Sequence, residues 1–128
     1  MKILVAEDDH DDFDLFLEAV LIIDPTVQCI RAHDGKQTLS ILENILPDLI
    51  FLDINMPRMN GKECLRKIKM SSTFQDIPVV VHSTTINPNE INFYEALGAK
   101  VLTKDHRIDK IVESLKTILG QYMSNNWK

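Results

Sequence analysis

Three acidic residues stand where a carboxylate could react. Asp53 closes the apolar run Leu49-Ile50-Phe51-Leu52 and opens into Ile54-Asn55-Met56-Pro57-Arg58-Met59-Asn60-Gly61, a loop stiffened by proline and closed by glycine. Glu7 and Asp8 follow the run Ile3-Leu4-Val5-Ala6 in the same manner. If the two runs are neighbouring strands, these side chains share one concavity, repel one another, and at least one resists ionisation. A hard divalent cation relieves the repulsion. Mg2+ suits such a site, because it takes about six oxygens and keeps several waters where protein ligands are few. Asp9 reads differently, as the N-cap of the following helix, whereas Asp8, one residue nearer the strand, reads as a ligand.

Two further strand ends reach the same rim. Ser83 follows Pro78-Val79-Val80-Val81-His82, and Lys104 follows Val101-Leu102-Thr103. Alone, Ser83 is a strand-end hydroxyl and Lys104 a surface lysine. Together with three carboxylates and one Mg2+, the lysine brings the formal charge to zero. A pocket of that kind could accept a phosphoryl group on an aspartate, with catalysis by positioning and charge stabilisation.

The elements that must position these residues follow from pattern. Five short apolar stretches, Ile3 to Ala6, Val27 to Ala32, Leu49 to Leu52, Val79 to His82 and Val101 to Thr103, alternate with helical sequence. That alternation predicts right-handed crossovers and a doubly wound α/β fold: a five-stranded parallel sheet in order 2-1-3-4-5 with helices on both faces. The third strand, apolar throughout, belongs in the middle, and the second, with Gln28 and Arg31, at an edge.

Helix starts are marked at Asn60 with Glu63 and at Asn87 with Glu90, the spacing of a reciprocal cap, and Pro88 falls at a first helical position. Asp34 with Gln37 is a weaker version. Phe13, Phe16, Leu17 and Val20 form one face of the first helix, which Asp24-Pro25 ends. The last helix shows Ile108, Ile111, Val112, Leu115, Ile118, Leu119 and Tyr122 at spacings of three and four. One domain over residues 1–123 is expected, with a fraying tail from Ser124 to Lys128.

Composition sets the limits. At 128 residues the chain can bury a core without staples. A net charge of -5 argues against a nucleic-acid surface. No apolar run approaches the ~20 residues of a membrane span, and no basic leader precedes the first strand, so a cytoplasmic location is expected. The acidic run Glu7, Asp8, Asp9, Asp11, Asp12, Asp14 reads mostly as a solvated face. Cys29 and Cys64 read as buried, reduced thiols.

Over nearly its whole length the chain resembles the receiver domain of two-component response regulators. The matching motifs, in order, are Ile3-Leu4-Val5-Ala6-Glu7-Asp8, Pro47 through Asp53, Met56-Pro57-Arg58-Met59-Asn60-Gly61, Ile77-Pro78-Val79-Val80, and Gly98-Ala99 ahead of Lys104. The resemblance implies that Asp53 accepts a phosphoryl group from a histidine kinase or histidine phosphotransfer protein, and that output passes to a downstream protein partner. It implies Mg2+ bound by Asp8, Asp53 and the backbone carbonyl of Asn55, with Glu7 in the outer acidic position. Ser83 and Lys104 correspond to residues that sense the phosphoryl group, and Asn55 and Thr85 to positions that tune its hydrolysis. Metabolic catalysis is not implied; Mg2+-dependent self-phosphorylation from a phosphodonor and slow autodephosphorylation are.

Three departures from the family pattern bear on the site. Lys104 precedes Asp105 where the family has a proline after a cis bond; without proline a cis bond costs ~2.5–4 kcal/mol, which predicts a trans peptide and a repositioned loop. The segment from Gly98 to Lys104 is one residue short, so the loop's course decides whether Lys104 reaches Asp53. Val101 replaces the switch aromatic of the fifth strand. A degenerate receiver that binds partners without phosphorylation is the main alternative. A flavin carrier is disfavoured because Glu7-Asp8-Asp9 would repel an FMN phosphate, and an aspartyl phosphatase because Asn55 cannot protonate a leaving group.

Overall fold

The computed structural model describes residues 1–125 and 127. Its strands are β1 (Lys2–Ala6), β2 (Gln28–Ala32), β3 (Leu49–Asp53), β4 (Val79–Ser83) and β5 (Lys100–Thr103). Between and after them lie α1 (His10–Ile23), α2 (Gly35–Leu42), α3 (Gly61–Met70), α4 (Pro88–Ala96) and α5 (Ile108–Met123). All four strand pairings are parallel and the order is β2-β1-β3-β4-β5, as the alternation of elements predicts. No described helix is long and apolar enough to cross a membrane.

Strand alternation sends side chains into two separate cores. Leu4, Ala6, Ile50, Leu52, Val79 and Val81 meet Leu42 of α2, Cys64, Leu65 and Ile68 of α3, and Tyr94 of α4. Ile3, Val5, Leu49, Phe51 and Val80 meet Phe16, Ala19 and Val20 of α1 and Leu115, Ile118 and Leu119 of α5. At the centre of this second layer Phe16 and Phe51 pack edge to face, their centroids 4.8 Å apart. Sheet residues so buried on both faces fix the register, because a one-residue slip would exchange the two cores.

The caps form, with redistributed partners. The side chain of Asp9 accepts from the Asp12 amide and that of Asn60 from the Glu63 amide. The reciprocal bond expected at Asn87 does not form: its side chain accepts from the Asn89 amide, while the Glu90 carboxylate accepts from the Tyr94 hydroxyl at 2.9 Å. A buried phenol needs that acceptor more than an exposed amide does. The fullest cap is the one that looked weakest, since Asp34 accepts from the Gln37 amide and Gln37 Oε1 accepts from the His33 amide at 2.6 Å.

One residue of the tail after α5 packs on the body of the protein. Trp127 is half-buried against the α1–α5 core, with the Lys100 ammonium 5.0 Å from its ring, while Asn126 and Lys128 lie outside the described residues. Both cysteines are free thiols; burial raises Cys29 to about 11 and Cys64 to about 12, so neither is a nucleophile at neutral pH.

Candidate functional site

The carboxyl ends of β1, β3, β4 and β5 form one rim. β1 and β3 are adjacent in register, Ala6 opposite Leu52, so the residues that follow them leave the sheet side by side. Carboxylate oxygens of Glu7, Asp8 and Asp53 lie within 4.8 Å of one another. Glu7 and Asp53 are buried, 3% and 5% exposed, whereas Asp8 faces solvent. The Asn55 amide donates to Asp53 Oδ1 at 3.2 Å, folding the loop back over the carboxylate. Gly61 makes this possible: a Cβ there would stand 2.2 Å from the Asp53 carbonyl oxygen.

Lys104 reaches the site despite the shortened segment. Its Nζ lies 2.6 Å from Glu7 Oε1, 3.1 Å from Asp53 Oδ2 and 3.0 Å from Asp12 Oδ2. No cis peptide occurs among the described residues, as the missing proline predicts. The Lys104 amide donates to the Ser83 carbonyl at 2.8 Å, which ties the ends of β4 and β5 together. Ser83 is fully buried at the end of β4, next to His82, the register partner of Asp53. Its hydroxyl donates to the carbonyl of Thr85, 3.3 Å away, and both Thr85 and Asn55 are exposed on the loops above. Val101 lies half-buried on β5, packed towards the α3–α4 core, so it stands on the opposite face from Lys100 and Leu102.

The charges are not balanced by protein alone. Burial pushes the Glu7 carboxyl up to about 7, Asp53's charge adds to this, and the Lys104 ammonium opposes it. Burial would lower Lys104, but hydrogen bonds to Glu7 and Asp12 and the charge of Asp53 outweigh it and hold the ammonium above its ordinary range. One cation thus serves several carboxylates, and Asp8 is left facing water. A hard, all-oxygen donor set with surplus negative charge fits Mg2+ chemistry.

Two contributors escaped the sequence reading. Asp12 sat in an acidic run read as solvated, yet it accepts from Lys104 and lies 3.3 Å from His106 Nε2, joining α1 to the β5–α5 loop. Its signal was the position three residues after the Asp9 cap, on the first helical turn above the rim. Arg31 sat on an edge strand and bonds the carbonyls of Glu7 and Asp8 at 3.0 Å each. Strand alternation put it on the same face as Cys29, beneath α1, and that was readable.

Comparison with known proteins bears on this arrangement. The response regulator Rcp1 of Synechocystis is 30% identical over 91% of this chain and 84% of its own. The crystal structure of the phosphorylated cyanobacterial phytochrome response regulator RcpA superposes with a TM-score of 0.87, at 31% identity, over 97% of this chain and 94% of that one. The transcriptional regulatory protein DegU of Brevibacillus brevis is 28% identical over 90% of this chain. The chain spans about half or less of the length of the first curated relatives it matches, 49%, 29% and 37%. The family model of the response regulator receiver domain matches residues 3–116, and the chain belongs to that family.

Proposed function

We propose that the protein acts as a cytoplasmic response regulator receiver in which Asp53 is the phosphoacceptor. The observation that carries this reading is the gathering of Glu7, Asp8, Asp53 and Lys104 from three strand ends within a few ångströms. An Asp53 carboxylate oxygen attacks phosphorus of a phosphohistidine on a histidine kinase or phosphotransfer protein; the P–N bond breaks and its electron pair leaves with the imidazole. Asp8, Asp53 and the Asn55 carbonyl would hold Mg2+, with Glu7 behind them, and bound Mg2+ would neutralise charge on the phosphoryl oxygens. Lys104 gives up a carboxylate contact to meet a phosphoryl oxygen, and the Ser83 hydroxyl turns from the Thr85 carbonyl to do the same. Asn55 and Thr85, exposed above the site, are placed to govern the approach of hydrolytic water.

Output follows from population shift: the state that holds the phosphoryl group better gains weight, and a downstream protein partner reads the surface of α4, β5 and α5. Intact-mass measurement after incubation with acetyl phosphate and Mg2+ tests the reading. A single phosphoryl adduct is expected, absent in Asp53→Asn and strongly reduced in Asp8→Ala. An adduct that persists in Asp53→Asn removes the assignment, and no adduct on the parent protein leaves a phosphorylation-independent binding module.

A further inference from the structure

We propose that Arg31 is a positioning residue for the cation site, holding the Glu7–Asp8 segment so that its carboxylates meet Asp53. The inference rests on the cation reading of Glu7, Asp8 and Asp53. The β1–β2 ladder extends one step past β1, where the Glu7 amide donates to the Ala32 carbonyl at 2.9 Å. Helix α1 begins at His10, with Asp9 as its cap. Between these anchors run the carbonyls of Glu7 and Asp8, and the Arg31 fork takes both: Nε donates to the first at 3.0 Å and Nη2 to the second at 3.0 Å.

The fork is itself held. The guanidinium lies 5.5 Å from the Phe13 ring centroid on α1, and Nη1 stands 3.4 Å from His10 Nδ1. Arg31 opposes Val5 in the β1–β2 register, so its root is fixed by the sheet. Two planar, parallel donors on consecutive carbonyls set the direction of the backbone that carries both acidic side chains. A lysine's three donors rotate about a single nitrogen, so they cannot fix two consecutive carbonyls in one plane.

The geometric and the electrostatic effects of Arg31 have opposite signs. A guanidinium next to a cation site repels the cation, so removing only its charge would tighten binding. Removing its hold on the loop would weaken binding, because partners that orient metal ligands are worth about 10–100-fold in affinity. The sign of the change therefore separates positioning from simple charge.

Mn2+ titration followed by electron paramagnetic resonance, which reads free aquo Mn2+, provides the test on the parent protein, Arg31→Met, Arg31→Lys and Asp8→Ala. We expect Arg31→Met to bind Mn2+ about tenfold more weakly. Arg31→Lys should bind at least as weakly, since it keeps the repulsion and loses the fork. Mn2+ affinity unchanged or tightened in Arg31→Met overturns the inference. If thermal melting shows Arg31→Met unfolded, Arg31→Lys decides: a loss of about tenfold supports positioning and parental affinity refutes it. An Asp8→Ala protein that binds like the parent, or a parent that binds no Mn2+, refutes instead the cation reading on which the inference stands.

Discussion

The sheet is built of two unlike halves. In β1 and β3 every residue from Ile3 to Ala6 and from Leu49 to Leu52 is at most 2% exposed, and these strands deliver Glu7, Asp8 and Asp53. No residue of β5 is fully buried, and of α4 only Tyr94 is. The first half anchors the reacting groups in a strand pair densely packed on both faces, which resists displacement. The second, with few buried apolar contacts, belongs to the part of a structure that opens at low cost and can carry a change of state. Precision and mobility are thus assigned to different strands of one sheet, and β4, paired to both, is where they meet.

The largest expected effect tests the rigid half. In Gly61→Ala the new Cβ would stand 2.2 Å from the Asp53 carbonyl oxygen and 2.7 Å from the Ile54 Cα, both backbone atoms that no rotamer change can move aside. Overpacking of that severity costs about 3 kcal/mol, measurable by urea unfolding, and should also abolish acetyl phosphate labelling of Asp53. A loss below ~1 kcal/mol with labelling intact would show that the loop after β3 yields, and the division of the sheet would fail.

The rigid half was also the half that could be read from sequence. Continuous apolar runs ending in Asp53 and in Glu7-Asp8 fix strand, direction and site together, because a strand buried on both faces has few alternatives. The course of the β5–α5 loop was not legible. Beside Asp53, Lys104 also meets Asp12, which lies 92 residues away on another helix and is in turn met by His106 of the loop. Long-range ion pairs of this kind leave no local pattern. The face of Arg31 was readable from strand alternation but its role was not, since a polar residue on an edge strand reads as edge character and its carbonyl acceptors lie 24 and 23 residues away. Trp127 was hidden by its place in a short polar tail, where the prior favours fraying over packing.

An intermediate effect probes the boundary strand. Burial, reinforced by the Lys104 charge, lowers His82 from the ordinary 6.5 to about 4, so the folded protein keeps the ring neutral where the unfolded chain protonates it. The stability this represents is present above pH 6.5 and is lost as pH falls towards 4, with a slope approaching 1.4 kcal/mol per pH unit, roughly 2–3 kcal/mol in all. Glu7 acts in the opposite sense, because a carboxyl raised to about 7 binds its proton more readily in the folded state. The difference between the parent and His82→Leu isolates the histidine. Thermal or urea unfolding from pH 7 to 4 should show the variant gaining on the parent as acid is added. Parallel curves would mean that His82 is solvated and that β4 belongs with the loose half.

The smallest effect comes from the same substitution in the other half. Gly98 follows α4 with a φ of +83°, and a Cβ built there meets nothing within 4 Å. Gly98→Ala therefore pays only for a left-handed backbone, about 1 kcal/mol, with no collision to add. Acetyl phosphate should still label Asp53 at the parental rate, because no atom of the site is displaced. The pair of alanines isolates what the two halves tolerate, since both add one methyl beside a helix end and only one presses on β3. Equal losses in urea, or a labelling defect in Gly98→Ala, would show that α4 and the acidic site are packed as one unit. A state change at Asp53 would then have to strain the whole sheet instead of shifting its looser edge.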